Sequence, residues 1–462
     1  MAWRTAIPRW AFVLALVLVV GGALRADRAI HHGRFLSTDE RAYATLGIAI
    51  AHGHYTPRGM DDPLHWPPGT PLLFAVARRL AGAPDGDIDP GAIYAAQWVV
   101  GMALILAVFL LVRLITDPWP AVAAAAGVAL YPPLVLITGD LVSEPLGALA
   151  GVLALAALAW AWRAPQPPPW RFAVAGALAG AAILIRADLL ILPFVLALVV
   201  ALSLRRAGAR PALVAAGAYL VCAALVLAPW SVYASRQRHE FTPITSSSWS
   251  GLFVGTYLPG DGRIFGLREA LGDEARRHNP HLRDRENRNL RTEWILDAVA
   301  ARHPDLGRSA ALEHETLRNL RVYGLGRPLD FAAMQVRKVK RTWLGYDRGS
   351  FHNRRTWILV VHLLLSAAGL AGLLYGIRRT GHPALWAILA AVLTITAVNS
   401  FFVAEARHNV RMVPLLLAGG AAGVGLALSR RGRAGRSAPP RGDATSPGRA
   451  PVAPRPGAGA VR

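Results

Sequence analysis

The stretch FAVAGALAGAAILIRADLLILPFVLALVVALSL, residues 172–204, decides the fold. About 20 apolar residues cross a bilayer, so one span here would be too long. It would also carry Arg186 and Asp188 at the bilayer centre, where charge is costly. Read as two short helices, the stretch turns at Arg186-Ala187-Asp188 and delivers both charges to a membrane face. Parity separates the two readings. The other apolar blocks are 10–24, 91–112, 119–138, 141–160, 212–233, 356–377, 384–403 and 412–428. With the turn, the chain has about ten spans. Starting inside, its cytoplasmic connections then hold Arg113, Arg163, Arg171, Arg205, Arg206, Arg210, Arg378 and Arg379 against Asp117 alone. Arg430, Arg431, Arg433 and Arg436 also fall inside. A single span would put this arginine-rich tail outside, so the positive-inside rule favours ten.

Composition agrees with this reading. Of 462 residues, 54% are hydrophobic and 17% charged, against about 25% charged in soluble domains. The apolar residues run in unbroken blocks, which excludes a soluble protein. The net charge of +22 fits positive-inside topology, anionic headgroups and anionic substrates; no basic stripe with interleaved aromatics points to nucleic acid. Trp98, Trp119, Trp160, Trp162, Trp170, Trp230 and Trp357 lie towards span ends, as interfacial aromatics do. Cys222 is the one cysteine, so there is neither a disulfide framework nor a cysteine metal site. The fold class is an all-α polytopic membrane protein. An N-terminal transmembrane module (1–233) contains a first external loop (25–90). A large external loop (234–355), C-terminal helices (356–428) and a disordered basic cytoplasmic tail (429–462) follow.

This topology gathers charge on one face. The external turns carry Asp140 and Glu144, then Arg186 and Asp188, then Glu405, Arg407 and His408. Solvated loop ends are the plain explanation; an unpaired charge at a span end is costly, which favours a common external site. In the first loop, Thr38 is placed to cap a helix whose first turn holds Asp39 and Glu40 and whose apolar face holds Tyr43, Leu46 and Ile50. Leu64-His65-Trp66-Pro67-Pro68-Gly69-Thr70-Pro71 is a rigid corner launching a second amphipathic segment, 72–80. Two such helices between spans are expected to lie in the interface.

An Asp-Glu-x-x-Tyr pattern after the first span, followed by Pro-Pro-Gly-x-Pro, resembles the multi-pass GT-C glycosyltransferases of the dolichyl-phosphate-mannose–protein mannosyltransferase and aminoarabinose transferase branch. Ser143-Glu144-Pro145, Arg186-Ala187-Asp188, Ala228-Pro229-Trp230, Gly251-Leu252-Phe253-Val254-Gly255 and Glu405-Ala406-Arg407-His408 follow in matching order. The chain departs from the pattern at His65-Trp66, where the aminoarabinose branch has a lysine, at Thr70 and at His408. The resemblance implies an inverting transferase on the outer face of a prokaryotic plasma membrane. Its donor would be a polyprenyl-phosphate sugar and its acceptor a glycan, lipid or protein. Asp39 is then the catalytic base with Glu40 beside it. Tyr43, His65, Arg186, Arg407 and His408 are expected to bind substrate. A guanidinium matches phosphate oxygens, although pairing with Asp188 or Glu405 explains either arginine equally well. Asp140, Glu144, Asp188 and Glu405 could give acidic support or hold a divalent metal. The alternatives are a transporter or lipid flippase, for which inverted repeats and midplane charges would be expected, and a polysaccharide polymerase or ligase.

Overall fold

The computed structural model describes residues 7–31, 37–57, 59–60, 62–84, 87–88, 90–344, 356–404 and 406–436. Glu405 and the tail beyond Arg436 lie outside the described residues. Among the described residues all regular structure is helical. The α-helices run α1 (Arg9–Ile30), α2 (Thr38–Ala51), α3 (Gly69–Ala81), α4 (Gly91–Ile115), α5 (Pro118–Leu130), α6 (Pro132–Leu136), α7 (Glu144–Ala161), α8 (Pro169–Ile185) and α9 (Leu192–Leu204). They continue with α10 (Ala209–Arg238), α11 (Ser248–Thr256), α12 (Ile264–His278), α13 (Thr292–Ala300), α14 (Arg308–Asn319), α15 (Pro328–Leu344), α16 (Thr356–Thr380), α17 (Pro383–Phe401) and α18 (Val413–Arg436). The main body extends to Ala427, and the described residues that follow, 428–436, belong to a separate unit.

Each apolar block of the sequence is helical. Eight helices, some extended by a flanking turn, are long and apolar enough to cross a membrane, and Pro169–Ile185 is a shorter apolar helix. The block at 119–138 is not straight. It bends by 57° between Pro118–Leu130 and Pro132–Gly139. Tyr131 stands before Pro132-Pro133 and is extended, with φ −67° and ψ 113°, because a residue preceding proline avoids the helical region.

Glycines fix the helix directions. A Cβ on Gly176 would meet the Tyr219 carbonyl at 1.9 Å, and one on Gly180 would meet that of Ala223 at 2.6 Å. The contacts advance together, so α8 and α10 run parallel and α9 runs back between them. The chain therefore turns at Arg186. Likewise Gly369 meets Leu416, Gly372 meets Gly420 and Gly376 meets Gly423, so α16 and α18 are parallel and α17 reverses. Close backbone approach of this kind is how small residues join membrane helices.

The first loop folds onto the bundle. Ser37, not Thr38, caps α2: its Oγ accepts from the Glu40 amide at 3.4 Å, while Glu40 Oε2 accepts from the Ser37 amide at 2.6 Å. This is a reciprocal capping box. Helix α2 is enclosed on several sides, burying Tyr43, Ala44, Leu46 and Ala49. Helix α3 differs, leaving Leu72, Val76 and Leu80 exposed along one stripe. The segment between α10 and α16 has its own apolar core around Phe253, Leu267, Leu271, Ile295, Val299 and Leu312.

Candidate functional site

Five connections meet at one end of the bundle, and each brings a charge or a hydrogen bond. The first-loop corner is seated by Gly69, where a Cβ would lie 2.6 Å from Ile185 at the end of α8. Any larger residue would push the corner away from Arg186. Tyr55 donates to the Trp66 carbonyl at 2.9 Å, and Ser247 donates to the His65 carbonyl at 3.0 Å. These bonds hold His65-Trp66 beneath α2.

Asp39 opens towards the shared space. Arg407 Nη2 donates to its Oδ2 at 2.8 Å, across 368 residues of sequence. The Asp39 side chain remains 36% exposed and that of Arg407 31%, so an incoming ligand can reach both. Burial works against the charge on Asp39. The Arg407 guanidinium, helped by His65 and the Trp66 side chain, prevails and holds the carboxyl below the usual carboxylate range.

Glu40 does different work. One carboxylate oxygen closes the capping box, and the other accepts from the Leu141 amide at 3.0 Å. With both oxygens engaged by backbone, Glu40 ties α2 to the turn before α7 and is not poised beside Asp39 as a second base. Tyr43 donates to Ser143 Oγ at 3.3 Å, and burial pushes its phenol up to about 12, so it stays a donor at neutral pH.

Behind Asp39 lies a denser network. Arg186 donates to Ser143 Oγ at 2.8 Å and approaches Glu144 at 3.2 Å and Asp188 at 3.3 Å. Arg411 grips Asp188 with two bonds of 3.0 and 2.6 Å. Arg407 Nε lies 3.7 Å from Glu144. His408 is set among Arg186, Arg407, Arg411 and Glu144. Both arginines singled out from the sequence are thus paired with acids, Arg186 with Asp188 and Glu144, Arg407 with Asp39. Arg411 was missed; its signal is its spacing, one helical turn beyond Arg407. Ser143 was visible only as part of the Ser-Glu-Pro motif.

Of the described acidic residues, Glu144 and Asp188 are already matched by arginines and do not fit a divalent cation as they stand. Glu144 has three guanidinium groups around it and Asp188 is held bidentately, so a further cation would meet like charge. Asp140 contributes its carbonyl, which accepts from Gln97 at 3.1 Å. Counted by formal charge, Asp39, Glu144 and Asp188 balance Arg186, Arg407 and Arg411. An anion entering here meets guanidinium groups already engaged by carboxylates, and Arg407 is the most exposed of the three arginines.

Residues 65–233 match the family model described as dolichyl-phosphate-mannose-protein mannosyltransferase. The fold is similar to that of the archaeal oligosaccharyltransferase AglB from Archaeoglobus fulgidus in complex with an inhibitory peptide and a dolichol-phosphate. That match has TM-score 0.58 and 16% identity, covering 96% of this chain and 53% of AglB. The apo form of the same oligosaccharyltransferase gives TM-score 0.57 and 16% identity, with coverage of 94% and 52%. ArnT from Cupriavidus metallidurans bound to undecaprenyl phosphate is 17% identical, with TM-score 0.41 and coverage of 93% and 81%. This chain spans about half the length of the oligosaccharyltransferase it matches. Comparison with curated proteins gives no match. Over residues 65–233 the sequence resembles the dolichyl-phosphate-mannose-protein mannosyltransferase family, and the fold as a whole is similar to that of the archaeal oligosaccharyltransferase.

Proposed function

We propose that this protein is an integral-membrane glycosyltransferase that moves a sugar from a polyprenyl-phosphate donor to an acceptor hydroxyl at the extracytoplasmic face, with inversion. The observation that carries the reading is the Asp39–Arg407 pair at 2.8 Å, open to ligand at the end of the bundle where the five connections meet. A glycosyl transfer of this kind needs a carboxylate to take the acceptor proton and cations to receive charge growing on the phosphate. Both are present in one contact.

The pair also explains how a carboxylate with a lowered pKa can act as a base. A donor phosphate competes for the Arg407 fork, which matches its oxygens. As the guanidinium turns to phosphate, Asp39 loses its strongest partner and becomes more basic at the moment the acceptor arrives. The acceptor hydroxyl then attacks the anomeric carbon, Asp39 takes its proton, and the C–O bond to phosphate breaks towards Arg407. Arg186 and Arg411, fixed by Glu144 and Asp188, keep the surrounding potential in place. The apolar stripe Leu72, Val76 and Leu80 of α3 rests in the membrane interface and brings the lipid-borne phosphate to the level of the site.

A transporter reading has less support, because these charges gather at helix ends rather than at a midplane break. The test is a deletion strain. Lipid-linked sugar should accumulate there and fall again when the wild-type gene is restored; unchanged lipid-linked sugar would remove the proposal.

A further inference from the structure

We infer that the helical insertion between α10 and α16 contains a binding site for a zinc-type divalent metal ion, formed by His303, His314 and Glu315. This inference stands apart from the transfer reaction and does not rest on it. Each of the three side chains offers one ligand atom, and these atoms lie within 4.8 Å of one another. His303 Nε2 is 2.9 Å from Glu315 Oε1. The His303 and His314 rings have centroids 4.4 Å apart and an interplanar angle of 64°, an edge-to-face arrangement that brings ring edges together. Ligand atoms around a tetrahedral zinc ion sit about 3.3 Å apart, given zinc–nitrogen bonds near 2.0–2.1 Å. Bringing atoms as far apart as 4.8 Å to that spacing takes a shift of about 1.5 Å, within reach of side-chain rotation.

The surroundings fit a metal carboxylate. Glu315 is 4% exposed, and its second oxygen, Oε2, accepts from Arg302 at 2.7 Å and from Arg318 at 3.4 Å. Arg302 is itself clamped by both oxygens of Glu274, at 2.7 and 2.6 Å. Glu274 thereby offsets the charge of Arg302, and Arg302 holds Glu315 Oε2 while Oε1 faces His303. Outer partners of this kind hold ligating carboxylates in place. The remaining cation, Arg318, has a side chain 60% exposed and is screened by solvent.

Two imidazoles and one carboxylate suit zinc and leave a fourth position for water. Calcium and magnesium prefer oxygen ligands and would be poorly served. His303 closes the turn after α13, whereas His314 and Glu315 lie on α14. A bound ion would therefore staple the α13–α14 corner.

The test uses the full chain in detergent, purified through a tag without histidines and stripped with a chelator. Zinc is titrated calorimetrically, and cobalt is added to report ligand geometry in the visible spectrum. One zinc ion per chain is expected. His303→Gln and His314→Gln should each weaken binding at least about tenfold and abolish the cobalt bands, while His281→Gln, in the same insertion, should not. His314 is exposed, so its variant tests binding without endangering the fold. Absence of stoichiometric zinc, or zinc binding equal to wild type in both ligand variants, would overturn the assignment.

Discussion

Asp39→Asn separates catalysis from architecture because the two roles have different magnitudes here. Asparagine keeps the size of the side chain. Helix α2 is capped by Ser37 and Glu40, so no cap is lost. The Arg407 contact is about a third exposed on both sides, and exposed pairs contribute roughly 0.2–1 kcal/mol. Protein level and melting temperature should therefore barely move. Removing a general base costs about 10²–10⁴ in rate, or roughly 2.7–5.4 kcal/mol on the barrier. Activity should thus fall far more than stability.

The kinetic signature is sharper than the overall loss. Without the carboxylate, Arg407 is released to the donor phosphate, so kcat should collapse while the donor KM stays level or drops. The pH dependence follows from the sign of the shift. Arg407 lowers the Asp39 pKa in the free protein, so the acid limb of kcat/KM should lie below the ordinary carboxylate range. Donor binding draws Arg407 away, so the limb of kcat should lie higher. For stability, a lowered carboxylate pKa gives a contribution present above the unfolded value and lost as pH falls through the folded one. That window lies below about pH 4. The assay is transfer from a polyprenyl-phosphate sugar in purified membranes across pH. Full activity in Asp39→Asn, or a donor KM that rises with kcat unchanged, would refute the base assignment.

Arg407→Lys should weaken donor use by on the order of 1.5–3 kcal/mol, the value of a hydrogen bond to a charged group, with little change in melting temperature. Arg186→Lys should instead lower melting temperature, because one ammonium cannot serve Ser143, Glu144 and Asp188 together; thermal unfolding in detergent compares the two. A reporter fused after residue 300 should read external and one after Arg436 cytoplasmic, and the reverse pattern would strand the site on the wrong face. Gly176→Ala places a Cβ 1.9 Å from the Tyr219 carbonyl and should cost at least about 1–3 kcal/mol as overpacking, read as lost protein in the membrane. Lys338 is enclosed against the Gly255 carbonyl at 2.6 Å, and burial pulls its ammonium down to about 7; its destabilising effect is complete below that pH and fades as pH rises towards about 10.4, the unfolded value, so melting temperature should climb over this window and Lys338→Met should flatten the climb.

How far the sequence could be read follows from what each feature depends on. The turn at Arg186 was legible because burying Arg186 and Asp188 at mid-membrane is costly in any context, and the parallel packing of α8 on α10 is its consequence. The bend at Tyr131 was equally local, since Pro132-Pro133 forbids a straight helix, yet hydropathy averages over it. The cap of α2 depended on distinguishing neighbouring hydroxyl residues, Ser37 and Thr38, and only the reciprocal bond from Glu40 separates them. That same bond engages one Glu40 oxygen, and the Leu141 amide, a hundred residues away, engages the other, which no spacing argument could reveal. The ion pairs are less legible still. Sequence shows that Asp39, Glu144, Asp188, Arg186 and Arg407 each stand where an unpaired charge is expensive, so each must have a partner. It does not show which partner. Arg411 is the instructive case: at the threshold of an apolar block it reads as a span flank, whereas in the fold it holds Asp188 and so fixes Arg186. A site assembled from the ends of five connections has no window of its own in the sequence, only a set of charges whose costs must be met together.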